Sequence, residues 1–196
     1  MDEKFIITPD EKESSVEEEK KKEKPPKFVK LFDEDQIEIK LLGTDDVENT
    51  VAVMKKCAFD VTKEEVFKVI FYGLSYGCYD NRMLVAVGLS WPTVYDSDKK
   101  TIVAGEKYNA LYLEEPAVLL MYEGRGLRKI LVEEREKLAK SRGLKYVLAL
   151  LDKETPRVSI EDYIKESGSQ LEKIYLELGY KFIPTKYGVL AVKKVG

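Results

Sequence analysis

Apolar and polar residues alternate in the stretch QIEIKLL (36–42), which reads as a strand. Asp45 followed by Glu48 resembles a capping box and predicts a helix running to about Cys57. Thr62-Lys-Glu-Glu65 is a clearer box, and Val66, Val69, Ile70 and Leu74 then recur on one helical face. YGCYDNRMLVAVGLSW reads as a hairpin turning near Asp80-Asn81, with Pro92 ending its second strand and YDSDKK as a polar loop. TIVAGEKYNALYLEEPAVLL is strand material interrupted at Pro116. A proline gives no N–H to a ladder, so that strand must bulge or splay there.

The second half changes period. Leu127, Ile130, Leu131 and Leu138 share a helical face from Leu127 to Arg142, and Gly143 closes the helix. LKYVLALLD (144–152) is almost wholly apolar, the pattern of a strand buried on both faces. A long connection follows, with a short helix expected from Ser159. Ser169-Gln-Leu-Glu172 then opens a helix with Leu171, Ile174, Tyr175 and Leu178 facing inward, and Gly179 stops it. YKFI and YGVLAVKKV are the closing strands. The order β-α-α-β-β-β-α-β-α-β-β predicts an α/β fold with a single mixed central sheet flanked by helices. Residues 1–27 are dense in charge and end in Pro25-Pro26, so they read as a flexible charged tail ahead of one domain over 28–196. A helix over Glu17–Lys24, or a partner-docking role for the tail, is an option there.

Composition removes whole classes of chemistry. The chain has no histidine, which excludes Ser-His-Asp and Cys-His catalysis and histidine-held zinc. Acid–base work then falls to Glu, Asp, Tyr, Lys, Cys or water. Two cysteines form no metal-ligand spacing, so no metal is expected, and they read as reduced thiols in a cytoplasmic protein. No apolar run suits a membrane span. Net charge is −3, and beyond residue 28 the chain holds 26 basic against 27 acidic residues, so no nucleic-acid surface is expected. High charge with only two Gln and three Asn is a thermophile-like composition.

The stretch MYEGRGLRKIL (121–131) places two glycines and three cations ahead of a helix. A strand, a glycine turn and a helix start aim free backbone N–H groups at one point, where an anion such as phosphate is favoured. By itself the turn reads more readily as structural than as a phosphate cradle. Its context resembles the GNAT superfamily of acetyl-CoA-dependent N-acetyltransferases, whose signature Q/R-x-x-G-x-G/A aligns with Glu123, Gly124, Arg125, Gly126, Leu127 and Arg128. LEKIYLELGYKF (171–182) resembles that family's AIRLYEKLGF, and VAVGLSW (85–91) its VVGFA strand. The resemblance spans about residues 35–196.

The resemblance implies a GNAT-like fold and transfer of an acetyl group from acetyl-CoA to a primary amine, on a small molecule or a protein. It implies cofactor contacts at Gly124, Arg125, Gly126, Leu127, Arg128 and Lys129, with the backbone N–H groups of Val118 and Leu119 at the thioester oxygen. Tyr175 falls at the tyrosine that protonates the departing sulfur. As a core aromatic, it would equally complete the stripe of Leu171, Ile174 and Leu178. Glu114 is the preferred general base over Glu115, because it shares a strand face with Tyr112. The connection 152–168 is expected to cover the acceptor side, its Glu161, Asp162 and Glu166 suiting a cationic amine. The chain departs from the signature at Glu123, at Arg128, and at Gly168 where the family has asparagine. Arg128 has two options, binding a phosphate or filling the cleft. The second makes the alternative reading a catalytically inactive GNAT-fold binding or regulatory protein. Homodimerisation is left open.

Overall fold

The computed structural model describes residues 37–151 and 159–196. The expected tail, and the part of the long connection from 152 to 158, lie outside them.

Strand β1 (Ile37–Leu41) leads into a 3₁₀ turn and α1 (Val47–Lys56). The helix start differs from the expected Asp45/Glu48 box. The Gly43 N–H donates to Asp46 Oδ2 at 2.8 Å, so the cap closes one turn earlier. Helix α2 (Lys63–Phe71) carries the full box, with Thr62 N–H on Glu65 Oε2 at 2.8 Å and Glu65 N–H on Thr62 Oγ1 at 3.2 Å. Leu74 lies past the end of that helix and is buried in the loop. The hairpin of β2 (Tyr76–Asp80) and β3 (Met83–Gly88) turns at Asn81 and Arg82. Both have positive φ, 47° and 72°, the geometry that matches strand twist in a two-residue loop.

β4 (Ser90–Asp96) runs straight through Pro92, which was expected to end it. The Glu114 N–H donates to Leu89 C=O at 3.0 Å, and Pro92 stands opposite Leu111 three residues on. Alternation makes that a non-hydrogen-bonded pair, so the ring nitrogen faces the edge that β5 (Thr101–Val103) joins only from Val94 onward. No donor is missed there.

β6 (Ala110–Leu113) and β7 (Ala117–Val118) are one line of chain parted by Glu114, Glu115 and Pro116. Helix α3 (Leu127–Ser141) crosses over to β8 (Tyr146–Leu151), which pairs parallel to β6. Then come α4 (Ile160–Ser167), α5 (Gln170–Glu177), β9 (Lys181–Thr185) and β10 (Gly188–Lys194).

The mixed sheet opens into two ladders, β1-β2-β3-β7 and β5-β4-β6-β8-β10-β9. The opening lies where β3 becomes β4 and β6 becomes β7, so the Pro116 interruption produces a splay. Arg135, from the middle of α3, closes its apex. Nη1 donates to Leu89 C=O at 2.7 Å and Glu114 C=O at 3.0 Å, and Nε donates to Leu131 C=O at 2.8 Å. A Cβ on Gly88 would stand 3.0 Å from the guanidinium carbon, so a larger residue there would press on the buried arginine. Helices α3 and α5 bury Val132, Leu138, Leu171, Ile174 and Tyr175 against β6, β8 and β10, while α1 and α2 bury Met54, Val66 and Ile70 against β3. No helix among the described residues is long and apolar enough to cross a membrane.

Candidate active site

The glycine turn is an open cradle. Gly124 and Gly126 both take φ of 76°, a region costly for residues with a Cβ, and nothing lies within 4 Å of where a Cβ would stand on either. Gly126 is the N-cap of α3 with no side-chain cap. The first ladder bond is Ile130 N–H to Gly126 C=O, leaving the N–H groups of Leu127, Arg128 and Lys129 without intrahelical partners. Leu127 itself is buried and anchors the helix start. The helix dipole adds positive potential at the same point.

The three cations beside the cradle are all engaged by the protein. Arg125 lies over the Tyr122 ring at 4.9 Å, and Lys129 Nζ pairs with Glu177 Oε1. Arg128 folds back onto Glu123, with Nη2 at 2.6 Å from Oε1 and Nε at 3.3 Å from Oε2. Its Nη1 donates to Pro116 C=O at 2.8 Å and reaches Glu115 at 3.4 Å. Glu123, the departure at the first signature position, is thus the partner of Arg128, the departure at the last.

β7 ends its ladder, so one edge of it faces the splay. Two carbonyls on that edge are taken by side chains, Pro116 by Arg128 and Val118 by the Cys57 thiol at 3.2 Å. Burial raises the Cys57 pKa, against a lowering by Arg128, so the thiol keeps the proton it donates. The expected pair of oxyanion donors is corrected here. The Leu119 N–H donates to Val85 C=O at 3.0 Å and is spent in the ladder, which by alternation leaves only the Val118 N–H on the free edge.

Glu114 and Tyr175 line one cavity of about 350 Å³, with Tyr112, Glu115, Leu150 and Leu171 among its walls. A second cavity of about 340 Å³ lies against Met54, Val66, Leu89 and Trp91, and Phe59 and Glu114 line both. Burial raises the Glu114 carboxyl above the usual range. The Arg135 charge opposes this, and Glu115 adds to it. Glu115 is 56% exposed and turned to Arg128, so the two adjacent carboxylates have different surroundings. Tyr175 is 1% exposed, and burial drives its phenol well above its ordinary value with Arg135 acting in the opposite direction. Its hydroxyl has no hydrogen-bond partner.

Ser169 caps α5 with its hydroxyl accepting from Glu172 N–H at 3.3 Å, which positions Tyr175 one and a half turns later. At Gly168 a Cβ would sit 2.5 Å from Ile164 C=O, so the α4–α5 junction has no room for asparagine. Glu161 and Glu166 of α4 are exposed and line neither cavity, as is Asp162, which pairs with Lys165. Sequence reasoning passed over Arg135, Cys57 and Phe59. Arg135 had a visible signal, since it continues the apolar stripe at i+4 from Leu131 and a cation on a buried stripe is out of place. Among the described residues no cluster of His, Cys, Asp and Glu would hold a metal ion.

No protein-family model matches the sequence. No curated protein sequence matches it either. Solved structures do. The loading GNATL domain of CurA from Lyngbya majuscula superposes with a TM-score of 0.62 at 19% identity, covering 81% of this chain and 98% of that one. The PaiA N-acetyltransferase from Thermoplasma acidophilum, in complex with coenzyme A, gives 0.58 at 17% over 81% and 98%. The GphF GNAT-like decarboxylase, in complex with isobutyryl-CoA, gives 0.64 at 14% over 81% and 100%. At these identities the likeness establishes the fold, and the fold is that of the GNAT acetyltransferases.

Proposed function

We propose that the chain is an N-acetyltransferase that takes acetyl-CoA as co-substrate and transfers its acetyl group to a primary amine. The observation that carries the reading is a cavity with a desolvated carboxyl group, Glu114, and a protonated phenol, Tyr175, on its walls, in the fold whose solved members include complexes with coenzyme A and isobutyryl-CoA. When bound, acetyl-CoA supplies an acyl group activated as a thioester.

The residues fit that group at its phosphate end. Gly124 and Gly126 leave the space above the turn open, and the N–H groups of Leu127, Arg128 and Lys129 face it with the dipole of α3 behind them. Arg125 and Lys129 supply countercharge nearby. The Val118 N–H, a fixed dipole on the free edge of β7, suits an oxygen that gains negative charge. Glu114 takes a proton from the incoming ammonium group, and its raised pKa makes it a stronger base than an exposed carboxylate. Tyr175 keeps its proton across the neutral range and gives it to the departing sulfur. The second cavity, which shares Glu114, is the natural approach for the acceptor. Its apolar walls with Asp60, Glu65 and Glu114 suit a cationic amine.

Isothermal calorimetry with acetyl-CoA, desulfo-CoA and a phosphate-matched control tests the reading, followed by mass spectrometry of an amine panel. Saturable binding that weakens in Gly126→Glu, with acetylated product, supports it. A folded protein that ignores millimolar acetyl-CoA refutes it. A second reading, a GNAT-fold binding or regulatory protein without turnover, has its own observation. Arg128 and Cys57 already occupy the β7 edge along which the co-substrate's arm would lie.

A further inference from the structure

The second cavity, which shares Phe59 and Glu114 with the first, is built for more than a charge. Its volume of about 340 Å³ lies at the low end for small-molecule sites, roughly 300–1,000 Å³. Seven of its ten lining side chains are apolar, and the other three are the carboxylates Asp60, Glu65 and Glu114. No lysine or arginine is among these described residues, and Trp91 brings the one N–H donor that a side chain offers there.

The three carboxylates are not equivalent. Glu65 closes the cap of α2, its Oε2 accepting from the N–H and the hydroxyl of Thr62, both at 2.8 Å. Asp60 is exposed, and ion pairs in exposed places contribute little. Glu114 is half-buried and lines the reaction cavity as well. One ammonium group therefore has a strong place, beside Glu114, and the volume beyond it is left to carbon.

Two aromatic rings are set around that volume. Trp91 stands opposite Tyr112 in the β4–β6 pair and stacks on its ring with centroids 4.6 Å apart, which holds the indole in place. Phe59 is fixed through the backbone. Helix α1 ends with Ala58 N–H on Lys55 C=O at 3.1 Å and Phe59 N–H on Met54 C=O at 3.0 Å, the paired bonds of a left-handed helix stop. Ala58 takes φ of 66° there, a place that suits glycine better. A strained turn thus delivers Phe59 to the boundary of the two cavities, with Met54, its partner in the stop, on the same wall.

These walls discriminate among amines. A carboxylate on the acceptor would meet three groups of its own sign and no cation, which disfavours amino acids. A peptide N-terminus would bring backbone carbonyls to side chains with a single N–H donor. A linear diamine would set its second charge at the exposed carboxylates and leave much of the volume unfilled. We propose that the acceptor is a primary arylalkylamine, its ammonium group beside Glu114 and its ring against Phe59 and Trp91, an assignment that rests on the transferase reading. In transfer the nitrogen bonds the acetyl carbon as the carbon–sulfur bond breaks. Of the two protons the ammonium group loses, one goes to Glu114 and one balances that taken up by the departing sulfur.

Trp91 is the chain's only tryptophan, so its fluorescence reports occupancy of this cavity without any need for catalysis. The test titrates the protein with 2-phenylethylamine, butylamine, 1,4-diaminobutane and phenylalanine, then measures kcat/KM for each with acetyl-CoA by mass spectrometry. 2-Phenylethylamine should change the emission saturably and bind roughly 10-fold or more tighter than butylamine or 1,4-diaminobutane, from the apolar area its ring buries. Phenylalanine, the same ring and amine with a carboxylate added, should bind roughly 100-fold more weakly. In Phe59→Ala the preference for 2-phenylethylamine over butylamine should fall about 10-fold, a ratio that general loosening of the fold would not move. Any of the other three binding as tightly as 2-phenylethylamine, or no saturable change with any of the four, overturns the proposal. A Phe59→Ala ratio equal to the parent's overturns the part given to Phe59. If that variant does not fold, the four titrations of the parent decide alone. Selective binding of 2-phenylethylamine without acetylated product upholds the ligand class and refutes the transferase reading instead.

Discussion

Replacing Arg128 by alanine should tighten acetyl-CoA binding, although it removes a cation from a phosphate site. The guanidinium now spends its hydrogen bonds on Glu123, Pro116 C=O and Glu115. The Glu115 contact is long and its partner exposed, so it contributes about 0–0.5 kcal/mol. The forked bond to Glu123 and the bond to Pro116 C=O are half-buried and stronger, and a net latch of about 1–2 kcal/mol is reasonable for all of them. A co-substrate lying along β7 must open that latch, which lowers its apparent affinity roughly 5- to 30-fold. Calorimetric titration of the parent, Arg128→Ala and Glu123→Gln checks this. Both variants should bind more tightly than the parent, Glu123→Gln at least as well as Arg128→Ala because it frees the arginine to meet a phosphate. Weaker binding by Arg128→Ala, with Glu123→Gln unchanged, would show that Arg128 already serves the phosphates and that the latch reasoning is wrong.

Tyr175→Phe should lower kcat by about 10²-fold or more with acetyl-CoA affinity unchanged, and its melting temperature should hold or rise, because the hydroxyl has no partner to lose. A fall of several degrees by scanning calorimetry would mean that the hydroxyl is bonded after all. Glu114→Gln bears on pH. The folded carboxyl titrates above its unfolded value, so its contribution to stability is present below the unfolded value and is lost as pH rises through the folded one. The variant should therefore gain on the parent above that point, by about 2–4 °C for each kcal/mol, and should lose the acid limb of the pH–rate profile. An unchanged acid limb would remove Glu114 as the base. Gly126→Ala should cost about 1–2 kcal/mol from its positive φ alone, since the space beside it is open. A loss of about 2–8 °C on melting, with weakened acetyl-CoA binding, is the expected result.

Much of this protein could be read from neighbours along the chain. The boxes Thr62–Glu65 and Ser169–Glu172, the turn after Asp80, the glycine turn before α3 and the break at Pro116 are decided within a few residues of backbone, where caps, positive φ and missing donors leave their mark. Glu114 and Tyr175 came forward as candidates through the resemblance, and strand alternation only ranked Glu114 ahead of Glu115. What the local signals left open was set by partners far away in sequence. Pro92 stays in a strand because the facing edge asks nothing of its nitrogen, and Leu119 loses its N–H to Val85 by ladder register. Cys57 reaches Val118 across 61 residues, and Arg135 reaches Leu89 across 46. Period and capping rules describe how a segment meets water or core, but which edge it meets depends on the closing of the sheet. Arg128 shows the division most plainly. Its place after Gly126 could be read directly from the chain, whereas its turn away from the cradle toward Glu123 and Pro116 exists only because the splayed strand brings that carbonyl within 2.8 Å.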